Sequence, residues 1–188
     1  MTAGAEPTRR AQILTTAAEL FAGRGFHGVS MADLGAACGI SGPALYKHFT
    51  SKDAILAEMV VGTSHRLLNV GTERVEAADD PSAAIEALID WHVDFALRDR
   101  ALIVVQDRDW ESLPAEARDE VRTLQRAYVD LWAGQLIGVD ADLSLDAARA
   151  QAHVVFGLIN STPRSARLDV EAMRELLTTM ARRALQID

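Results

Sequence analysis

The stretch "SMADLGAACGISGPALYKHF", residues 30–49, constrains the fold of this chain more than any other. Ser30, followed three residues later by Asp33, has the spacing of a helix-starting capping box. Met31 and Leu34 then supply an apolar face. Gly39 ends that helix by allowing a left-handed C-terminal turn. Ser41 caps the next helix almost at once, and Pro43 falls in its first turn, where a missing N–H has no helical partner to lose. Two short helices joined by a tight Gly-containing turn form a helix-turn-helix. Leu34, Ile40 and Leu45 are placed to pack the pair together, and Gly35 and Ala36 are small where the backbones approach. Such a pair cannot bury its face unaided. The preceding segment "TRRAQILTTAAELFAGRGF" carries Ile13, Leu14, Ala17, Leu20 and Phe21 at helical spacing and offers the third helix.

The rest of the chain reads as helices too. Apolar periodicity marks a long segment from Lys52 to about Ala78, then "PSAAIEALIDWHVDFALRD", "PAEARDEVRTLQRAYVDLWAGQLIG", "LDAARAQAHVVFGLIN" and "VEAMRELLTTMARRALQI". "ALIVVQDRDWES" has a β-branched run, but nothing nearby offers a partner strand, so a helix is expected. The fold class is therefore all-α, with about nine helices. A boundary near residue 50 divides residues 1–50, a helix-turn-helix unit, from residues 51–188, whose helix lengths suit an antiparallel bundle. Hydrophobic residues make up 49% of the 188, enough for a packed core, and aromatic residues only 5%. The single cysteine, Cys38, allows no internal disulfide, which fits a reducing cytoplasm. The opening "MTAGAEPTRRAQ" lacks the apolar run of a secretory leader, and no stretch is apolar enough to span a membrane. The net charge of −8 argues against coating nucleic acid by bulk charge. The charge is uneven, however: residues 1–53 sum to +1 and the remainder to −9.

"ELFAGRGF", "SMADL", "CGIS" and "LYKHFTSK" occur here in the order and spacing of one family. From about residue 8 to residue 57 the chain resembles the N-terminal domain of TetR-family transcriptional regulators. The resemblance implies that Ser30, Tyr46, His48 and Lys52 donate to DNA phosphates, while Gly42, Pro43, Ala44 and Lys47, following the Ser41 cap, face the bases. Hydroxyl, imidazole and ammonium donors suit an anionic backbone. The chain departs from the commoner family pattern at Gly42-Pro43, where a longer polar residue is frequent. Neither has a hydrogen-bonding side chain, so direct readout rests on Lys47 and on DNA shape.

Beyond residue 57 the residues speak less specifically. His92 and Asp94, like Asp107, Asp109 and Glu111, splay around their helices, and no hydrolase, metalloprotease or phosphate-loop motif occurs. No catalytic residue, metal or cofactor is expected. Trp91, His92, Phe95, Gln106, Trp110, Tyr128, Trp132, His153 and Phe156 are candidates to line a largely apolar cavity for a small apolar or amphipathic effector. Plain bundle core is an equal reading for each aromatic. The resemblance implies a homodimer built on the last two long helices, through Ala147, Ala150, Val154, Gly157 and Leu158, then Met173, Leu176, Leu177, Met180 and Ala184. The expected function is a ligand-responsive repressor on a palindromic double-stranded operator. A helical ligand-binding module without DNA binding, and an activator or co-repressor-dependent regulator of the same fold, stay open.

Overall fold

The computed structural model describes residues 8–187; the first seven residues of the stretch read for a leader, which also begin the first unit, and Asp188 lie outside the described residues. The described residues hold helices and no strand. They run α1 (Arg9–Arg24), α2 (Met31–Ala37), α3 (Gly42–Tyr46), α4 (Lys52–Glu76), α5 (Pro81–Arg98) and α6 (Arg100–Arg108). A 3₁₀ turn (Trp110–Ser112) leads into α7 (Ala115–Val139), followed by α8 (Leu145–Ile159), α9 (Thr162–Ser165) and α10 (Val170–Leu185). The nine expected helices are all present. The one-turn α9 is an addition, formed inside the segment read as a separator. Its Thr162 is buried because the hydroxyl donates to Ala96 O at 2.8 Å, which docks the turn on α5.

Caps set most of the boundaries. Thr8, Ser30, Ser41, Ser51, Asp80, Ser144 and Asp169 each accept a backbone N–H in the first turn of the helix that follows. Each such cap is worth about 1 kcal/mol. At Ser30 the box is complete, since the Asp33 carboxylate also accepts the Ser30 N–H at 2.8 Å. Pro43 and Pro81 sit in first turns, where they interrupt no helical bond. Gly25 and Gly39 hold φ of +79° and +64°, the left-handed region that stops α1 and turns α2 into α3.

Two apolar clusters result. The larger is built on α5, α7, α8 and α10, around Ile85, Leu88, Ile89, Val93, Trp132, Val155 and Ile159. Gly71 on α4 is buried, and a Cβ there would stand 2.8 Å from the Tyr128 ring, so α4 reaches α7 at that level only without a side chain. The smaller cluster joins Ile13, Ala17, Phe21, Leu34 and Leu45 of the first three helices and Phe49 just after α3. It is not closed by residues before 50 alone. Ile55, Leu56, Met59 and Val60 of α4, Val105 of α6, and Leu113, Ala117 and Val121 complete it. At 25 residues α4 is about 37 Å long and takes part in both clusters. No described helix is long and apolar enough to cross a membrane.

Candidate nucleic-acid interface and effector cavity

The helix-turn-helix surface is assembled from the starts of α2, α3 and α4. Ser41 Oγ accepts the Ala44 N–H at 3.4 Å, which places Gly42, Pro43 and Ala44 in the first turn of α3. Pro43, Tyr46 and Lys47 are exposed; Gly42, Ala44 and His48 are half-buried. Tyr46 is 54% exposed although it is aromatic, because Leu45 takes the inward position of this short helix. Lys47 follows it at the C-terminal end.

Two of the expected phosphate donors are engaged within the chain. The Ser30 hydroxyl accepts the Asp33 N–H at 3.1 Å and donates to the Asp33 carboxylate, which holds that carboxyl below its usual range. Lys52 Nζ donates to Phe26 O and Val29 O, both at 2.7 Å, and lies 4.2 Å from the centre of the Phe26 ring. An ammonium has three donors, so one remains for an external anion. Lys52 is thus primarily a clamp on the turn between α1 and α2. Sequence reasoning missed this because the carbonyls lie more than twenty residues away in the chain.

Arg10 and Arg108 were also missed. Arg10 pairs with Glu58, donates to His48 O and lies 4.1 Å from the centre of the Phe49 ring, tying α1 to the end of α3 and to α4. Arg108 donates to Phe21 O, which also accepts the Gly25 N–H, and to Ala22 O, both in the last turn of α1, and its guanidinium is 3.1 Å from Asp109. Asp109 is 6% exposed and accepts the Phe26 N–H at 3.3 Å. The turn carrying Gly25 and Phe26 is therefore held from α4 by Lys52 and from the end of α6 by Arg108 and Asp109.

α6 also borders a cavity of about 500 Å³ in the bundle, a size suited to a small ligand. Of the sequence candidates, His92, Phe95, Gln106, Tyr128, His153 and Phe156 line it together. The three tryptophans do not. Trp91 turns toward α4, donating Nε1–H to Leu67 O at 3.2 Å, with Arg74 5.6 Å from its ring centre. Trp110 packs against the helix-turn-helix cluster instead. Trp132 is fully buried behind the wall, its ring centre 5.1 Å from that of Phe156 and edge-on to it. Ser64, Gln125, Asn160 and Arg164 join the lining without having been anticipated. Asn160 was within reach of the periodicity, since His153, Phe156 and Asn160 recur every three to four residues.

On the opposite account, α8 and α10 present apolar side chains to solvent. Val154 is 64%, Leu176 42% and Met180 44% exposed. Ala150, Gly157 and Ala184 are exposed as well, and Ala147 and Leu158 half-buried. Met173 and Leu177 are corrections to the expected interface: both are buried in the chain's own core, at 2% and 3%.

Both parts of the chain match known family models. Residues 13–59 match the model of bacterial regulatory proteins of the tetR family, and residues 78–164 match a tetracyclin repressor-like C-terminal domain. The chain belongs to the TetR family. Among relatives, this TetR-family chain is 30% identical over 129 residues to the HTH-type transcriptional repressor KstR2 of Rhodococcus jostii, covering 68% of this chain and 63% of that protein. It is 27% identical over 160 residues to the HTH-type transcriptional activator FasR of Mycolicibacterium smegmatis, covering 85% and 71%. The match thus spans slightly under two thirds of KstR2. In fold it is similar to PfmR of Thermus thermophilus, at TM-score 0.82 and 24% identity over 97% of this chain and 98% of that one. It is also similar to AibR, solved with isovaleryl coenzyme A and operator DNA, at TM-score 0.75 and 21% identity over 92% and 97%. At these identities the structural likeness speaks to fold alone.

Proposed function

We propose that this chain is a transcriptional regulator that binds a palindromic DNA operator as a homodimer and is released by a small-molecule effector held in its helical bundle. One relationship carries the reading. The turn that positions the helix-turn-helix is gripped by Arg108 and Asp109, at the end of the helix whose Ile103, Gln106 and Asp107 border the cavity. A ligand that favours a different seat for α6 would act on the reading heads through that grip, and through α4, which lends Ser64 and Leu67 to the same cavity. Residues 1–50 supply the reading unit: Tyr46, Lys47 and the Ser41-capped start of α3 approach DNA, Ser30 and His48 flank them, and Lys52 acts mainly by holding the unit in shape. Residues 51–188 supply the cavity and the dimer face, the latter through Ala150, Val154, Gly157, Leu176, Met180 and Ala184.

No catalytic role is proposed. The buried His92 is partnered by Tyr128 and Asn160 rather than by a carboxylate or a nucleophile. A cytoplasmic location follows from the proposed DNA partner.

The test is selection of duplexes from a random pool, followed by fluorescence anisotropy. The selected site should be two-fold symmetric, with half-sites roughly one helical turn (~34 Å) apart, and binding should weaken steeply with salt. A flat salt dependence or an asymmetric site would overturn the reading. The likeness to FasR, an activator, over most of this chain favours a second form of the same function, in which bound DNA raises transcription. A reporter driven from the selected site distinguishes the two: repression on expression of the protein supports the first form, induction the second.

A further inference from the structure

The cavity sorts its polar groups by depth. Its charged side chains, Asp107 and Arg164, stand at the rim, 66% and 81% exposed and 3.7 Å apart, with the exposed His153 nearby on the lining. Farther in the polar groups are uncharged. His92 is 2% exposed, and both of its ring nitrogens face neutral partners. Nε2 lies 3.2 Å from the Asn160 amide oxygen and Nδ1 3.3 Å from the Tyr128 hydroxyl. An amide oxygen only accepts, so Nε2 carries the proton and Nδ1 accepts from Tyr128. The rings of His92, Tyr128 and Phe156 are parallel to within 13–19°, with centroids 4.7–5.8 Å apart.

Resting on the effector reading above, we propose that the buried part of the effector is an uncharged, flat ring system bearing a hydroxyl or carbonyl oxygen. The oxygen enters the hydrogen bonding of His92 and Asn160, and any charge on the molecule stays at the rim beside Arg164 and Asp107. A carboxylate or ammonium carried inward would lose its water and meet no counter-charge, whereas a hydroxyl or ketone exchanges one neutral hydrogen bond for another. Of these stacked rings Phe156, half-buried, is the one with area left to the cavity, and a flat apolar ring packs on an aromatic ring in an offset stack better than a flexible chain does.

Isothermal titration of the full-length native protein with four probes tests this: naphthol, naphthoate, naphthylmethylammonium and decanol. Naphthol is expected to bind at least tenfold more tightly than each of the others. Asn160→Leu should weaken naphthol at least tenfold while leaving naphthalene within about twofold. Preferred binding of either charged probe, or decanol equal to naphthol, overturns the inference and leaves the cavity reading standing. A protein that binds none of the probes loses both.

Discussion

The Asp109 carboxylate accepts the backbone N–H of Phe26 across 83 residues of chain, at 3.3 Å. The contact is buried, and Arg108 beside it holds the last carbonyls of α1. Replacing Asp109 by Ala strands a buried N–H and leaves Arg108 without its neighbour. The expected loss is about 1–3 kcal/mol. Urea unfolding measures it, and amide exchange locates it: protection should fall first at Phe26 and along α2 and α3. Unchanged exchange at Phe26 in the Ala variant would mean the clamp is idle.

Lys52 gives a sharper discrimination. As a clamp on Phe26 O and Val29 O, its replacement by Met should lower stability by roughly 1–3 kcal/mol and leave the salt slope of DNA binding unchanged. As a phosphate contact, its loss from both protomers of the dimer would lower that slope by about two units. Thermal unfolding and anisotropy at several salt concentrations separate the two outcomes, and the first is expected.

Lys47 is exposed at the end of α3 and has no such internal commitment in its proposed role. Lys47→Ala should reduce affinity for the selected operator by about 1–3 kcal/mol per half-site and relax preference at one position of each half-site. An equal loss on all sequences would reassign it to the phosphate backbone.

His92 makes stability depend on pH. Burial pushes its pKa down to about 4, partly offset by the hydrogen bond to Asn160. An unfolded histidine titrates near ~6.5. Between these values the unfolded chain binds the proton and the folded one does not, so stability is complete above about 6.5 and is lost as pH falls toward 4. The full effect is on the order of 3 kcal/mol. Melting temperature recorded from neutral to acid pH should fall more steeply for the native protein than for His92→Gln. Parallel curves would exclude His92 as the source.

Leu176 and Met180 are exposed on α10, one step around the helix from the buried Met173 and Leu177. Leu176→Glu with Met180→Glu should leave the monomer's helicity intact, because neither side chain fills its core, and should shift mass in sedimentation from dimer to monomer. Operator affinity should fall with it, since the two heads are then no longer linked. A monomeric native protein, or a double variant that remains dimeric, would place the interface elsewhere.

How much of this was legible beforehand follows from the range of the forces involved. The Ser30 and Ser41 caps, the left-handed Gly39 and the first-turn Pro43 act within three or four residues. The segment from Ser30 to Phe49 therefore declares its own helices and turn, and the long amphipathic segments declare theirs. Periodicity, however, states only which residues share a helix face, not what that face meets. On α10 the stripe from Met173 to Ala184 is wide enough that positions three residues apart, about 60° around the axis, go to opposite fates: Met173 inward and Leu176 outward, Leu177 inward and Met180 outward. The tryptophans looked like cavity residues by type, but their places depend on which helix packs against each one. Lys52 and Asp109 are the clearest cases. A lysine at a helix start and an aspartate in an acidic run read as solvent-facing charges. Only when α1, α4 and α6 converge on Phe26 does its N–H acquire the Asp109 carboxylate, and its C=O, which already accepts the Val29 N–H, acquire Lys52 as a second partner. The helices and the helix-turn-helix were thus determined locally; the grip on its turn, the cavity wall and the division of α10 were decided by packing between segments remote in the chain.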